Sequence, residues 1–145
     1  MTTLQPISKW HELATFSHYQ TATAIRHELL QGDIEEAIEG IEELVAALSR
    51  SDQRELKSQL IRLMAHIIKW KSQPERRSRS WITTIVNARV EIETLLEFEP
   101  HLNPLVPGLL QGLWVKAKRV AEKEMGKPSI IDTLSWQEVF EDDYP

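Results

Sequence analysis

Two short stretches hold most of the residues that could do chemistry. His66-Ile67-Ile68-Lys69-Trp70 ends one apolar-periodic segment, and Arg76-Arg77-Ser78-Arg79-Ser80-Trp81 opens the next. His66 has Arg62 at i−4, Lys69 at i+3 and Trp70 at i+4, all within reach on a helix. A histidine titrates near neutrality, so it could carry a proton if a carboxylate oriented it. Glu42 or Glu43, on an acidic helix before it, would be that carboxylate, and a hydrolase built on Glu43 and His66 is the weakest of three readings. Lys69, Arg76, Arg77, Arg79 and Ser80, with the free amides of a helix start, form a candidate anion site for phosphate or nucleic acid. A tryptophan nearby could stack a base.

Each constellation has a structural alternative. His66 fits a boundary histidine that fixes helix register. The serines fit helix caps, and Trp81, in step with Ile85, fits a core anchor. Glu42, Glu43, His66, Lys69 and Arg89 could together form an internal polar network that gives the bundle its specificity.

Charge decides between these readings only if the helices are placed. The net charge is −5. From Arg50 to Arg89 there are ten Lys/Arg against three acids; from Glu28 to Ser49 there are seven acids and no Lys or Arg. Such a division marks either a binding face or two neighbouring helices that neutralise one another. The second is expected, with the acidic helix 34–49 folded back beside a basic helix 53–71.

The elements follow from periodicity and punctuation. Asp33 reads as an N-cap, with Glu36 completing a capping box and Gly32 closing the preceding segment. The stripe Ile34, Ala37/Ile38, Ile41, Leu44/Val45, Leu48 predicts an amphipathic helix over 34–49. Asp52 and Glu55 repeat the capping signal before Leu56, Leu60, Leu63/Met64 and Ile67, with the helix ending near Lys71 ahead of Pro74. Ser80 is the expected cap of a helix that ends before Pro100. Asn103-Pro104 should begin another, closed near Gly126, and Ser135 with Glu138 should cap a short last helix. A helix is expected over about 20–31, preceded by a helix or arm over 1–19. Short connections favour antiparallel neighbours. The expected fold is all-α: one domain, an antiparallel bundle of about five main helices plus a short C-terminal helix, with 20–145 as its body.

Taken as a set, His66-x-x-Lys69-Trp70, Gln73-Pro74-Glu75-Arg76-Arg77-Ser78-x-Ser80-Trp81, Arg89 and the tail Trp136-Gln137-Glu138-Val139…Asp143-Tyr144-Pro145 resemble the bacterial domain-of-unknown-function family twenty-nine, abundant in cyanobacteria. The resemblance runs from about Leu29 to the end. It implies an all-helical fold and supplies no catalytic or ligand residues. Leu134-Ser135 stands where members often carry Cys-Pro.

Several function classes are excluded or weakened. Without cysteine there is no disulfide, thiolate metal site or cysteine nucleophile, and a cytoplasmic location is expected. The five histidines form neither Glu-x-x-His nor His-x-x-x-His pairs, and the five glycines never cluster, so no metal and no cofactor is expected. No apolar run approaches the ~20 residues of a membrane span, and the opening lacks the pattern of a signal peptide. The first reading is a non-enzymatic helical module acting on a protein partner or a second copy of itself. A nucleic-acid or phosphate-ligand binder using the basic segment 62–89 is the alternative, although the chain is acidic overall.

Overall fold

The structure is a computed structural model and describes residues 9–145. The expected helix or arm over 1–19 therefore lies in part outside the described residues, as does the chain opening. Among the described residues the fold is all-α, a helical bundle with six helices: α1 (Lys9–Phe16), α2 (His18–Leu30), α3 (Ile34–Ser72), α4 (Arg79–Phe98), α5 (Val106–Met125) and α6 (Trp136–Phe140). The chain divides into two compact units, Met1–Asp52 and Gln53–Pro145.

The largest departure from expectation is α3. Residues 34–49 and 53–71 are not two helices side by side. They are successive stretches of one helix of 39 residues. The reason is local. Ser49-Arg50-Ser51-Asp52 contains neither glycine nor proline, so nothing stops the helix once it is propagating. The capping signal at Asp52 goes unused because the chain never leaves helical geometry there. Mutual neutralisation of two adjacent rods is thereby overturned.

In the first unit, α1 and α2 pack on α3 through Trp10, Leu13, Ala24 and Ile25 against Ala37 and Leu44. Gly40 makes the close approach possible: a Cβ there would stand 2.7 Å from Ile25 Cγ1 and 2.9 Å from Trp10 Cζ3. The expected stripe on this part of α3 is consequently split. Ala37 of the stripe is buried, together with Gly40 and Ala47 outside it, whereas Ile34, Ile38, Ile41, Val45 and Leu48 are exposed. α1 and α2 cover only the side of Ala37 and Gly40, and their own Phe16, Tyr19, Leu29 and Leu30 are themselves exposed. Asp33 does cap α3, accepting from Glu36 N–H at 3.2 Å, and Gly32 supplies the positive φ of 82° that closes α2. The reciprocal half of the capping box is not made. Asp33 N–H donates to Glu28 O, and the Glu36 carboxylate accepts from Trp10 Nε1 at 2.8 Å.

The second unit has the larger core. Leu56, Leu60, Leu63, Met64, Ile67 and Ile68 of α3 meet Ile85, Ala88 and Ile92 of α4 and Leu113, Ala117 and Ala121 of α5. The cap of α4 is Ser78, not Ser80: its hydroxyl accepts from Trp81 N–H at 3.3 Å. Asn103-Pro104 does not begin a helix. Both lie inside a 3-10 turn, Pro100–Leu105, where Asn103 Nδ2 donates to Pro100 O, and α5 starts at Val106 with Pro107 in its first turn. Gly126 ends α5 in the left-handed region, and Ser135 with Glu138 forms a complete capping box on α6.

Candidate functional site

The chemistry-bearing residues of the second unit gather where α3 ends, α4 begins and the C-terminal segment returns. Lys69 is only 7% exposed. Its ammonium pairs with Glu124 of α5 and lies 5.2 Å from the centroid of the Trp81 ring. Arg77 folds back on the end of α3: Nε donates to Trp70 O at 2.9 Å, and the guanidinium carbon sits 4.7 Å from the Trp70 ring centroid. A guanidinium does both at once because its N–H edge and its flat face are separate recognition surfaces.

Arg89, on α4, holds α6. Its Nε donates to Val139 O at 2.9 Å and its Nη2 to Glu138 O at 3.3 Å. The same guanidinium lies 5.5 Å from the Tyr144 ring centroid. Tyr144 in turn donates its hydroxyl to Glu138 O at 2.5 Å and meets Trp70 edge-on at 6.2 Å. Lys71 Nζ reaches Glu138 Oε2 at 2.6 Å. Burial, then the nearby Asp142, pushes the Tyr144 phenol up to about 12, so it stays a donor throughout the ordinary pH range. The Lys71 ammonium, then the Ser135 backbone N–H, hold the Glu138 carboxyl below its ordinary value.

Of the five residues expected as one polar network, Glu42 and Glu43 belong to the first unit and His66, Lys69 and Arg89 to the second. Lys69 and Arg89 both belong to this knot, but their partners are Glu124 and the α6 carbonyls. Glu43 is bound instead by His11 of α1, with Nδ1 to Oε2 at 3.1 Å, and Glu42 is exposed. His66 Nδ1 is hydrogen-bonded to Arg62 O, one turn back on α3, at 2.9 Å. The two residues of the hydrolase reading thus have separate partners, His11 for Glu43 and the Arg62 carbonyl for His66.

The anion set is divided in the same way. Lys69 is buried and paired with Glu124, and Arg77 is exposed but bonded to the Trp70 carbonyl, whereas Arg76, Arg79 and Ser80 are exposed without such a bond. Arg76 and Arg79 have no ion-pair partner among the described residues. Sequence reasoning did not foresee Glu124, or the pairing of Trp10 and His11 with Glu36 and Glu43. No spacing signal marks them. Tyr144 and Glu138 were visible as parts of the tail motif, without their role.

Burial, with Lys69 nearby, lowers the His66 pKa below its ordinary 6.5, against the pull of the Arg62 carbonyl. The native state therefore binds the proton more weakly than the unfolded chain. His66 contributes stability that is full above about pH 6.5 and declines as pH falls through its lowered pKa. Glu138 acts in the same sense below about pH 4.5, its ordinary value. Melting temperature is expected to fall between pH 7 and 5 in the parent chain and to stay flatter in His66→Gln. Lys71→Gln should instead weaken the dependence below about pH 4.5. Calorimetric scans across pH check both, and coincident profiles for parent and His66→Gln would contradict the first.

The second unit thus defines an all-helical domain in which Arg77, Arg89 and Tyr144 bond backbone carbonyls of the same unit. The family model for the domain of unknown function DUF29 matches residues 17–144, and the chain belongs to that family. No curated protein and no solved structure matches it.

Proposed function

We propose that this chain is a non-enzymatic helical interaction module that works in the cytoplasm by contact with another protein. One observation carries the reading: nine large apolar side chains between Phe16 and Leu48 stand exposed, two of them aromatic (Phe16 and Tyr19). Single exposed apolar residues are ordinary, whereas such a density on a small unit is characteristic of contact surfaces. A hollow of about 420 Å³ in this unit is lined by Trp10, Leu13, Phe16 and Ala24 together with Lys9, Glu12 and Glu28. The residues that favoured other chemistry are meanwhile committed elsewhere, Lys69 and Arg77 to Glu124 and to Trp70. No helix is long and apolar enough to cross a membrane among the described residues.

A second reading, binding of nucleic acid or a phosphate ligand, rests on Arg76 and Arg79, exposed at the start of α4. Two cations beside Glu75 neutralise few phosphates, so any such binding would be weak and strongly salt-dependent. One experiment separates the readings. A photo-crosslinking amino acid is placed at Phe16, Leu30 or Arg79 and activated in the cell of origin. Discrete protein adducts are expected from Phe16 and Leu30. Nucleic-acid adducts from Arg79, with none from the apolar positions, would reverse the order of the two readings.

A further inference from the structure

The exposed apolar residues of α3 are spaced with a regularity that specifies their occupant. Ile34, Ile38, Ile41, Val45 and Leu48 follow one another at intervals of four, three, four and three, and are 43–61% exposed. That is the seam of a coiled coil, with Ile38 and Val45 at a and Ile34, Ile41 and Leu48 at d. The g positions, Ala37 and Leu44, are already occupied by the core beneath α1 and α2. The e positions that fall within the seam are Glu35 and Glu42, both exposed, and Glu39 is exposed close by. No Lys or Arg occurs between Glu28 and Ser49.

From this register we infer that the N-terminal half of α3 receives an amphipathic helix of another protein, apolar at a and d and carrying Lys or Arg beside its seam. The inference rests on the contact-module reading and adds the chemistry of the partner. In a coiled coil the residues flanking the seam choose the partner by charge. A second copy is disfavoured on the same ground. Aligned antiparallel, it would set Glu35 and Glu42 against their own counterparts. Aligned parallel, it would drive them toward the side that α1 and α2 already cover. Residues 1–52 hold nine acids against three Lys/Arg, so two such units also repel at long range. A cationic helix gains from the same field and from burial of five large side chains.

The test uses the full chain and two fluorescein-labelled peptides of about three heptads each, with Ile at a and Leu at d. One carries Lys at e and g and the other Glu, and binding is followed by fluorescence anisotropy. The Lys peptide is expected to saturate, with affinity dropping about tenfold or more between low and high salt. The Glu peptide is expected not to bind. The double variant Glu35→Lys/Glu42→Lys should invert the preference. Ile41→Asp should abolish binding of the Lys peptide even though it adds negative charge, which separates seam recognition from general attraction to an acidic surface. Circular dichroism confirms that each variant keeps its helix content, as expected for exposed positions. Equal binding of both peptides, an unchanged preference in the charge-reversed variant, or full binding by Ile41→Asp would overturn the inference. So would a dimer in light scattering that Ile41→Asp dissolves. That last result assigns the seam to a second copy and leaves the contact-module reading standing, whereas absence of crosslinks from Phe16 and Leu30 counts against the module itself.

Discussion

Replacing Arg89 with alanine is expected to free the segment 135–145 from the second unit and to cost about 1.5–3 kcal/mol, the range for hydrogen bonds made by a charged group. The size of the effect follows from the helix that Arg89 serves. α6 has five residues, too few to be stable alone. Its first turn is secured locally by the Ser135–Glu138 capping box. Its last turn leaves carbonyls without helical donors, and two of them, Glu138 O and Val139 O, are met by the Arg89 guanidinium. Alanine removes both donors and the charge facing the Tyr144 ring. Val139, fully buried, then loses the tie that keeps it in the core. Lysine in place of arginine should restore little, because an ammonium cannot meet two carbonyls with its edge and a ring with its face. Urea unfolding gives the cost, and hydrogen exchange should show lost amide protection concentrated in 135–142. Unchanged protection of that segment in Arg89→Ala would remove the basis of the assignment.

Gly40→Val is expected to destabilise the first unit by about 2–3 kcal/mol through overpacking. Glycine inside a helix costs about 1 kcal/mol relative to alanine, so its presence mid-α3 needs a reason. The reason is steric. A Cβ at position 40 falls within 3 Å of Ile25 and of the Trp10 ring. The indole cannot swing away freely, because its Nε1 donates to Glu36 Oε2 at 2.8 Å. Alanine would regain helix propensity while meeting the same clash, so its net loss should be smaller. Valine has two further carbons and a stiff χ1, with no gain in propensity over alanine to offset them. Amide exchange in α1 and α2 reads the effect directly, and protection equal to that of the parent chain would show that the two helices do not depend on this approach.

Much of the fold could be read in advance because its punctuation is local. Gly32 before Asp33, Gly126, and Ser135 with Glu138 each act within one turn of chain, and each ends or begins a helix as expected. The misreadings arise where a local signal needs a condition from further away. Asp52 and Glu55 have the residue types of a helix start, but a start requires that the helix before it has ended. Ser78 and Ser80 are equivalent as residue types, and only the path out of the 3-10 turn at Pro74–Arg76 selects Ser78. The stripe on 34–49 is divided: Ala37 is buried and Leu44 half-buried, while Ile34, Ile38, Ile41, Val45 and Leu48 are exposed. Which part of it is covered depends on which faces α1 and α2 turn toward it, since Phe16, Tyr19, Leu29 and Leu30 stay exposed.

The site was legible in its members and not in its pairings. Lys69 and Arg89 stand out because they are charged residues on apolar-periodic helices. Their partners lie 55 and 50 residues further along the chain, and no spacing rule carries that far. The same holds for His11 and Glu43, which meet across 32 residues. Charge counting pointed to an acidic helix neutralised by its basic neighbour. The observed ion pairs instead join single side chains, such as Lys69 with Glu124, Lys71 with Glu138 and His11 with Glu43.

The double use of each guanidinium has an evolutionary corollary. Arg77 spends its edge on the Trp70 carbonyl and its face on the Trp70 indole; Arg89 divides itself in the same manner between α6 and Tyr144. Neither position can drift alone. A lineage that gives up the aromatic loses half of what made the arginine worth keeping, so inheritance in this family should act on the stacked pairs as single characters rather than on their separate letters.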